Sequence, residues 1–342
     1  MIQFCKTTLG EEEIKAITDV IRSGWVVQGK ITKEFEEKFA EYVGAKYAVF
    51  VDSGTSALLL SLECLKRHGK LFGHFPLTVP SLTFVSTAEA PLNAGFNILF
   101  GDVGDDLCLA DVNETTLPVH LTGNKAKEGA LIYDSAHRVT RGDVNGSKAL
   151  WCYSLYATKN LTTINGGMIA TNNEDYARWL RGARDHGISK GTTERYKEGK
   201  WEYSIDFLGY REKSDDVHAA IGIEQLKKLP EMDEKRERII SKYNKGFGLS
   251  RTGLHLYPIL VEKRREFLEY MTEQGIQCSV HFLPLHKMPA FETRYSLNAI
   301  PLPKTEYFGE RLVSLPLYPQ LNDSEVNYII EKVEESGLRI QK

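Results

Sequence analysis

The sequence predicts an α/β protein: a mostly parallel sheet covered on both faces, followed by a smaller α+β unit. Three observations carry this. Short, near-continuous apolar runs recur between residues 47 and 172, the kind that suits strands buried on both faces. Segments with apolar residues at helical spacing alternate with them. With 342 residues the chain can bury one large core and a second, smaller one.

In chain order, "GEEEIKAITDVIRSG" (10–24), "ITKEFEEKFAEYVG" (31–44) and "SGTSALLLSLECLKRHG" (53–69) read as helices that stop at glycine. "KYAVFVD" between the last two is a strand. Strands are then expected at "NILFGDV" (97–103), "LPVHLTG" (117–123), "ALIYDSA" (130–136), "ALWCYSL" (149–155) and "GGMIATN" (166–172). "EDYARWLRGARDHG" (174–187) returns to helix, and the polar 188–205 stretch reads as a surface loop. "LKKLPEMDEKRERIISKY" (226–243) offers Glu231/Lys235 and Glu234/Arg238 at i,i+4 and is expected to be a solvated helix entering the small unit. The boundary is placed at residue 230, with a large domain over 1–230 and a small one over 231–342. In such folds sites gather at the carboxyl ends of strands.

The formal net charge of −3 argues against a nucleic-acid binder, since no basic excess is available to neutralise phosphates. No stretch approaches the roughly 20 apolar residues of a membrane span, and "MIQFCKTTLGEEEI" has no apolar signal core. Five dispersed cysteines, never in a CxxC pair, read as reduced thiols. The histidines lack metal-ligand spacing, so no metal is expected. A soluble cytoplasmic protein is the expectation.

Four segments have the makings of a site, and each alone admits a plainer reading. "DSGTSALLL" (52–60) joins a strand to a helix start whose N–H groups, with the Thr55 and Ser56 hydroxyls, could hold an anion; Ser53 or Thr55 could equally just cap the helix. "ALIYDSAH" ends an apolar strand on Asp134, with His137 three residues on; the carboxylate either keeps a partner protonated or caps a helix. "SLYATKNLTTINGGM" (154–168) carries Lys159 with no other charged residue, five positions after Ser154. An amine in uncharged, desolvated surroundings loses proton affinity and becomes a nucleophile or base, while a lysine on a loop more commonly reaches solvent. Phe84, in "VPSLTFVSTAEAPLNAG", belongs to the core or forms a stacking platform.

Taken together and in order, "SGWVVQG", "SGTSAL", "PSLTFVSTAEA", "PVHLTGN", "DSAH", "SLYATKNLTTINGGM", "LGYREKSDDVHAAIGIEQLKKL", "SVHFLPLH" and "LVSLPLYPQL" resemble the DegT/DnrJ/EryC1/StrS family over about residues 6–335. These are sugar aminotransferases dependent on pyridoxal 5′-phosphate (PLP), with the three-layer αβα fold of aspartate aminotransferase. The resemblance implies that Lys159 carries PLP covalently and moves the protons of the reaction. It implies that Asp134 holds the pyridine nitrogen protonated, that His137 lies near the phenolic oxygen, and that Phe84 stacks on the ring. Gly54, Thr55, Ser56 and Ser154 match the phosphate cradle. The implied substrates are L-glutamate and a nucleotide-linked keto-sugar, and the implied assembly is a homodimer with shared active sites. "SGWVVQG" and "YATKNLTT" resemble members acting at C4 of a 4-keto-6-deoxy nucleotide sugar more than those acting at C3.

Two departures stand out. Asn165 occupies a position that is often Glu, and "GYREKSDD" puts Arg211 where relatives have Asn or Lys reaching the phosphate of the neighbouring subunit. Arginine there could make that contact with a full charge or turn to solvent. The loop 188–205, with Lys190, Arg195, Lys197 and Lys200 among acidic residues, is either a cover for the sugar nucleotide or a solvated loop. Two competing readings are a dehydratase, whose scaffold relatives replace the lysine with histidine, and a non-catalytic binding protein. No GxGxxG follows the first strand, which counts against a nicotinamide-binding protein.

Overall fold

The computed structural model describes all residues except 74, 189–201, 296–299, 338–339 and 342. Two helices lead: α1 (Glu11–Ser23) and α2 (Lys30–Val43), closed by Gly24 and Gly44 in left-handed conformations. Then follow β1 (Tyr47–Val51), α3 (Gly54–Arg67), β2 (Leu77–Pro80), α4 (Ser86–Asn93), β3 (Ile98–Gly101), β4 (Ile132–Asp134), β5 (Leu150–Ser154) and β6 (Gly167–Thr171). Next are α5 (Glu174–Ala183) and the long α6 (Asp216–Phe247).

β1, β6, β5 and β4 are neighbours in that order, and β2 pairs with β3 in parallel. Parallel bridges Val119–Asp134 and Thr78–Thr116 insert residues 116–119 between β4 and β2. The result is one parallel array in which β6 alone runs antiparallel. The expected strand 117–123 is therefore confined to its first residues, because a 3₁₀ turn at Leu121–Gly123 breaks it.

Alternation along the strands divides the large core in two. Val49 and Val51 of β1, Leu150 and Cys152 of β5 and Ile169 of β6 face α3, α4 and α5. Ala48, Phe50, Trp151, Tyr153, Met168 and Ala170 face α2 and the first half of α6. This is the three-layer αβα arrangement expected from the resemblance. A buried ion pair ties the layers: Arg184 donates to Glu36 at 2.5 Å and to the Phe50 carbonyl at 2.6 Å, while Glu36 also accepts from the Phe50 N–H.

The boundary expected at residue 230 falls inside α6, which continues through Pro230. Beyond it come β7 (Tyr257–Val261), α7 (Arg264–Glu273), α8 (Pro289–Tyr295), α9 (Pro303–Arg311), β8 (Leu312–Leu315), α10 (Asp323–Glu335) and β9 (Ile340–Gln341). The order β8-β7-β9 is antiparallel throughout. Tyr243 and Phe247 at the end of α6 join Tyr257, Phe267 and Ile329 in a separate core. Among the described residues no helix is long and apolar enough to cross a membrane.

Candidate active site

The carboxyl ends of β1, β4 and β5 and the β2–α4 loop open on one cavity of about 520 Å³. Gly54, Thr55, Phe84, Asp134, His137, Ser154 and Lys159 all line it. Residues that lie far apart in the sequence are thus brought together at one cavity.

Helix α3 starts at the cavity wall. Ser53 caps it, its hydroxyl accepting from the Ser56 N–H at 3.0 Å, so the capping role falls to Ser53. Gly54 passes so close to β5 that an added Cβ would lie 2.8 Å from the Ser154 Cβ. Glycine thus lets the first turn of the helix approach Ser154, a helix start of the kind that suits an anion. Ser56 turns away from the cavity: its hydroxyl lies 2.6 Å from Asp52 Oδ1 and also bonds Glu212, and it does not line the cavity. The hydroxyl is committed to carboxylates behind the helix.

Asp134 closes β4 at the cavity floor. Its Oδ1 accepts from the Ala136 N–H at 3.0 Å and its Oδ2 from the Thr87 hydroxyl at 2.8 Å. Burial raises its carboxyl above the ordinary range, with those two hydrogen bonds and Lys159 opposing. A carboxylate in that condition gains from a buried cationic N–H partner. His137 is held neutral by burial, and its Nδ1 has no partner among the described residues. Its ring lies 4.2 Å from that of His255. Phe84 is 57% exposed, so it stands outside the core, with its ring 5.9 Å from Phe282 at the cavity.

Lys159 sits on the loop between β5 and β6, fixed by its N–H to the Tyr156 carbonyl and by the neighbouring Asn160 to His255. Its amine makes no hydrogen bond or ion pair among the described residues. Burial lowers its pKa to about 8, Asp134 and Cys5 acting the other way. Burial of the amine outweighs the two acidic neighbours.

Arg211 is exposed and does not line the cavity of its own chain. The basic loop residues Lys190, Arg195, Lys197 and Lys200 lie outside the described residues. Sequence reading missed Cys5, Arg236, His255, His281 and Phe282, which also line the cavity. His281 and Phe282 lay within the quoted "SVHFLPLH" without a role. Arg236 was hidden in a stretch read as a solvated face.

The residues present fit PLP. An amine of low proton affinity, a glycine-lined helix start, a buried carboxylate, an exposed aromatic and an unpartnered histidine match the aldehyde, phosphate, pyridine nitrogen, ring and phenolic oxygen in turn. Fold and cavity together define a PLP-dependent enzyme. The sequence matches the DegT/DnrJ/EryC1/StrS aminotransferase family over residues 7–334, and the chain belongs to that family. It is 33% identical to the uncharacterized protein MJ1066 of Methanocaldococcus jannaschii and to the spore coat polysaccharide biosynthesis protein SpsC of Bacillus subtilis, covering 96% of this chain and 95% of each relative. The putative sugar aminotransferase Spr1654 of Streptococcus pneumoniae, solved in its pyridoxamine phosphate form, superposes with a TM-score of 0.85 at 25% identity, covering 98% of this chain and 99% of the other. Helicobacter pylori PseC, an aminotransferase of pseudoaminic acid biosynthesis, shares the fold at a TM-score of 0.87 and 24% identity, over 98% of both chains. The protein is thus a PLP-dependent aminotransferase of a family whose solved members include sugar aminotransferases.

Proposed function

We propose that this aminotransferase moves the amino group of L-glutamate to C4 of a nucleotide-linked 4-keto-6-deoxyhexose, making an amino sugar for a polysaccharide or glycan. The observation that carries the reading is the Lys159 amine: free of hydrogen bonds among the described residues, lowered to a pKa of about 8, and facing the same cavity as Asp134. At neutral pH an amine of that pKa is partly unprotonated, as a nucleophile and general base must be. PLP, when bound, supplies the electron sink for the pair left at the substrate carbon.

Lys159 would take the proton from Cα of L-glutamate and pass it to the cofactor side, water would supply the keto oxygen of 2-oxoglutarate, and the amino group would stay with the cofactor. With the keto-sugar Lys159 moves protons in the opposite sense, ending with one placed on C4. Asp134 holds the pyridine nitrogen protonated, and its buried carboxylate gains the partner it lacks. Gly54, Thr55 and Ser154 hold the phosphate, Phe84 supports the ring, and His137 donates toward the phenolic oxygen through its unpartnered nitrogen. Arg211, exposed on its own chain, reaches the phosphate of a second subunit, which makes the homodimer the working unit in the cytoplasm.

"SGWVVQG" and "YATKNLTT" support C4 over C3, and the similarity to the spore coat polysaccharide biosynthesis protein SpsC supports a glycan product. The test is to supply L-glutamate with nucleotide-linked 4-keto and 3-keto sugars and locate the new amine by NMR. Amination at C4 alone upholds the proposal. Amination at C3 assigns the other branch, and no amination of either sugar refutes the substrate class.

A further inference from the structure

Arg236 is a second cation in the cavity. It lies on α6, in the charge-rich stretch that sequence places on a solvated face. Glu231 and Lys235 pair there at 2.6 Å as expected, and Arg238 turns outward to Asp323. Arg236 points inward instead: it is only 5% exposed and lines the cavity that holds Lys159. Among the described residues its one ion pair is to Asp233, a single contact of 3.2 Å from Nη1 to Oδ1. Nε and Nη2 have no hydrogen bond among the described residues. A guanidinium offers a fork of donors suited to a carboxylate, and most of that fork is unspent.

The charges of Arg236 and Lys159 both act on the Cys5 thiol, whose Sγ lies 3.7 Å from the carbonyl of Thr158, next to Lys159. Both also act on the His255 imidazole. Two cations therefore flank one patch of cavity wall. The Asp233 carboxyl is pushed up to about 6 by burial despite its arginine neighbour. The pair engages one guanidinium nitrogen and leaves the other two without a hydrogen bond among the described residues.

We propose that Arg236 holds the carboxylate of the amino donor beside Lys159, with Asp233 as its counter-ion while the site is empty. The proposal rests on the amino-acid donor read above. The geometry separates this anion from the other two. The PLP phosphate has its cradle at Gly54, Thr55 and Ser154. The diphosphate of a nucleotide sugar is several bonds from C4, where Lys159 must work. The carboxylate of an amino acid is bonded directly to the carbon whose proton Lys159 moves. An anion site close to that amine suits it, and a bidentate carboxylate would fix Cα for proton transfer.

The experiment uses PLP-loaded protein and the variants Arg236→Gln and Arg236→Lys. Binding of maleate, an unreactive dicarboxylate, is measured by calorimetry, and KM is measured for L-glutamate and for the keto-sugar nucleotide separately. Loss of a charge-assisted contact is expected to weaken maleate and raise the L-glutamate KM on the order of 10- to 100-fold in Arg236→Gln. Arg236→Lys should recover part of both, while the sugar KM stays unchanged. Unchanged maleate and L-glutamate affinity in a variant with wild-type Tm overturns the proposal, as does a loss confined to the nucleotide sugar. If Arg236→Gln does not fold, Arg236→Lys decides alone. If the wild type binds maleate through Arg236 but forms no 2-oxoglutarate from L-glutamate, the donor reading fails and the carboxylate site stands.

Discussion

Replacing Lys159 with methionine should make the cofactor-free protein more stable at neutral pH. The side chains are of similar length, but the wild-type amine holds its proton in a buried setting that lowers its pKa from the ordinary 10.5 to about 8. Each tenfold change in proton affinity corresponds to about 1.4 kcal/mol, so the folded state carries a penalty of about 3 kcal/mol below pH 8. Between pH 8 and 10.5 the unfolded chain keeps a proton that the folded chain has released. Wild-type stability therefore rises across that window as the penalty is relieved. The Lys159→Met variant has no such group, so its advantage should be about 3 kcal/mol at pH 7 and should vanish near pH 10.5. Urea unfolding of both cofactor-free proteins across this range measures it. A variant that is no more stable at pH 7, or whose advantage is independent of pH, would refute the account of Lys159.

Four further outcomes follow from the same geometry. Covalent capture of PLP by the cofactor-free protein should speed up with pH and level off above about 8, as Lys159 loses its proton; stopped-flow absorbance reads this, and a flat profile would count against it. Asp134→Asn should lower kcat of the L-glutamate half-reaction on the order of 10²–10³-fold, the scale on which single electrostatic stabilisers act, and near-normal turnover would remove Asp134 from the chemistry. Gly54→Ala pushes a methyl toward the Ser154 Cβ and should destabilise the fold by about 1–3 kcal/mol while weakening PLP binding, read by melting and by fluorescence titration. Glu36→Ala leaves Arg184 buried without its carboxylate and should cost about 3–5 kcal/mol in denaturant unfolding, with little change expected in PLP affinity.

What could be read from the sequence follows the physics of each signal. "YAVFV", "LWCYS" and "GMIAT" are apolar on alternate and intervening positions alike, because helices cover both faces of the sheet, and the strands fall within the expected runs. The helix expected over 174–187 ends at Ala183, where Gly182 and a return to β-bridging at Asp185 take over. Asp134 and Lys159 left local traces, a strand end and an uncharged loop, that made them candidates, but only the ordered set of motifs set them apart from a helix cap and a surface lysine. Ser56 was misplaced because a hydroxyl pattern cannot show which way the side chain turns, and here two carboxylates claim it. Arg236 left no trace at all: among Glu231, Lys235 and Arg238 a buried arginine has the same local pattern as a solvated one, and only the packing of α6 against the cavity distinguishes it.

Lys159 and Asp134 together are proposed to run an amino-group transfer from L-glutamate. The most direct test loads the wild type and Lys159→Ala with PLP, adds L-glutamate, and follows the visible absorption together with released 2-oxoglutarate. The wild-type visible band should bleach, pyridoxamine phosphate and 2-oxoglutarate should appear in equal amounts, and the variant should yield neither. A wild-type band that ignores L-glutamate, or a variant that turns over as well as the wild type, would contradict the proposal.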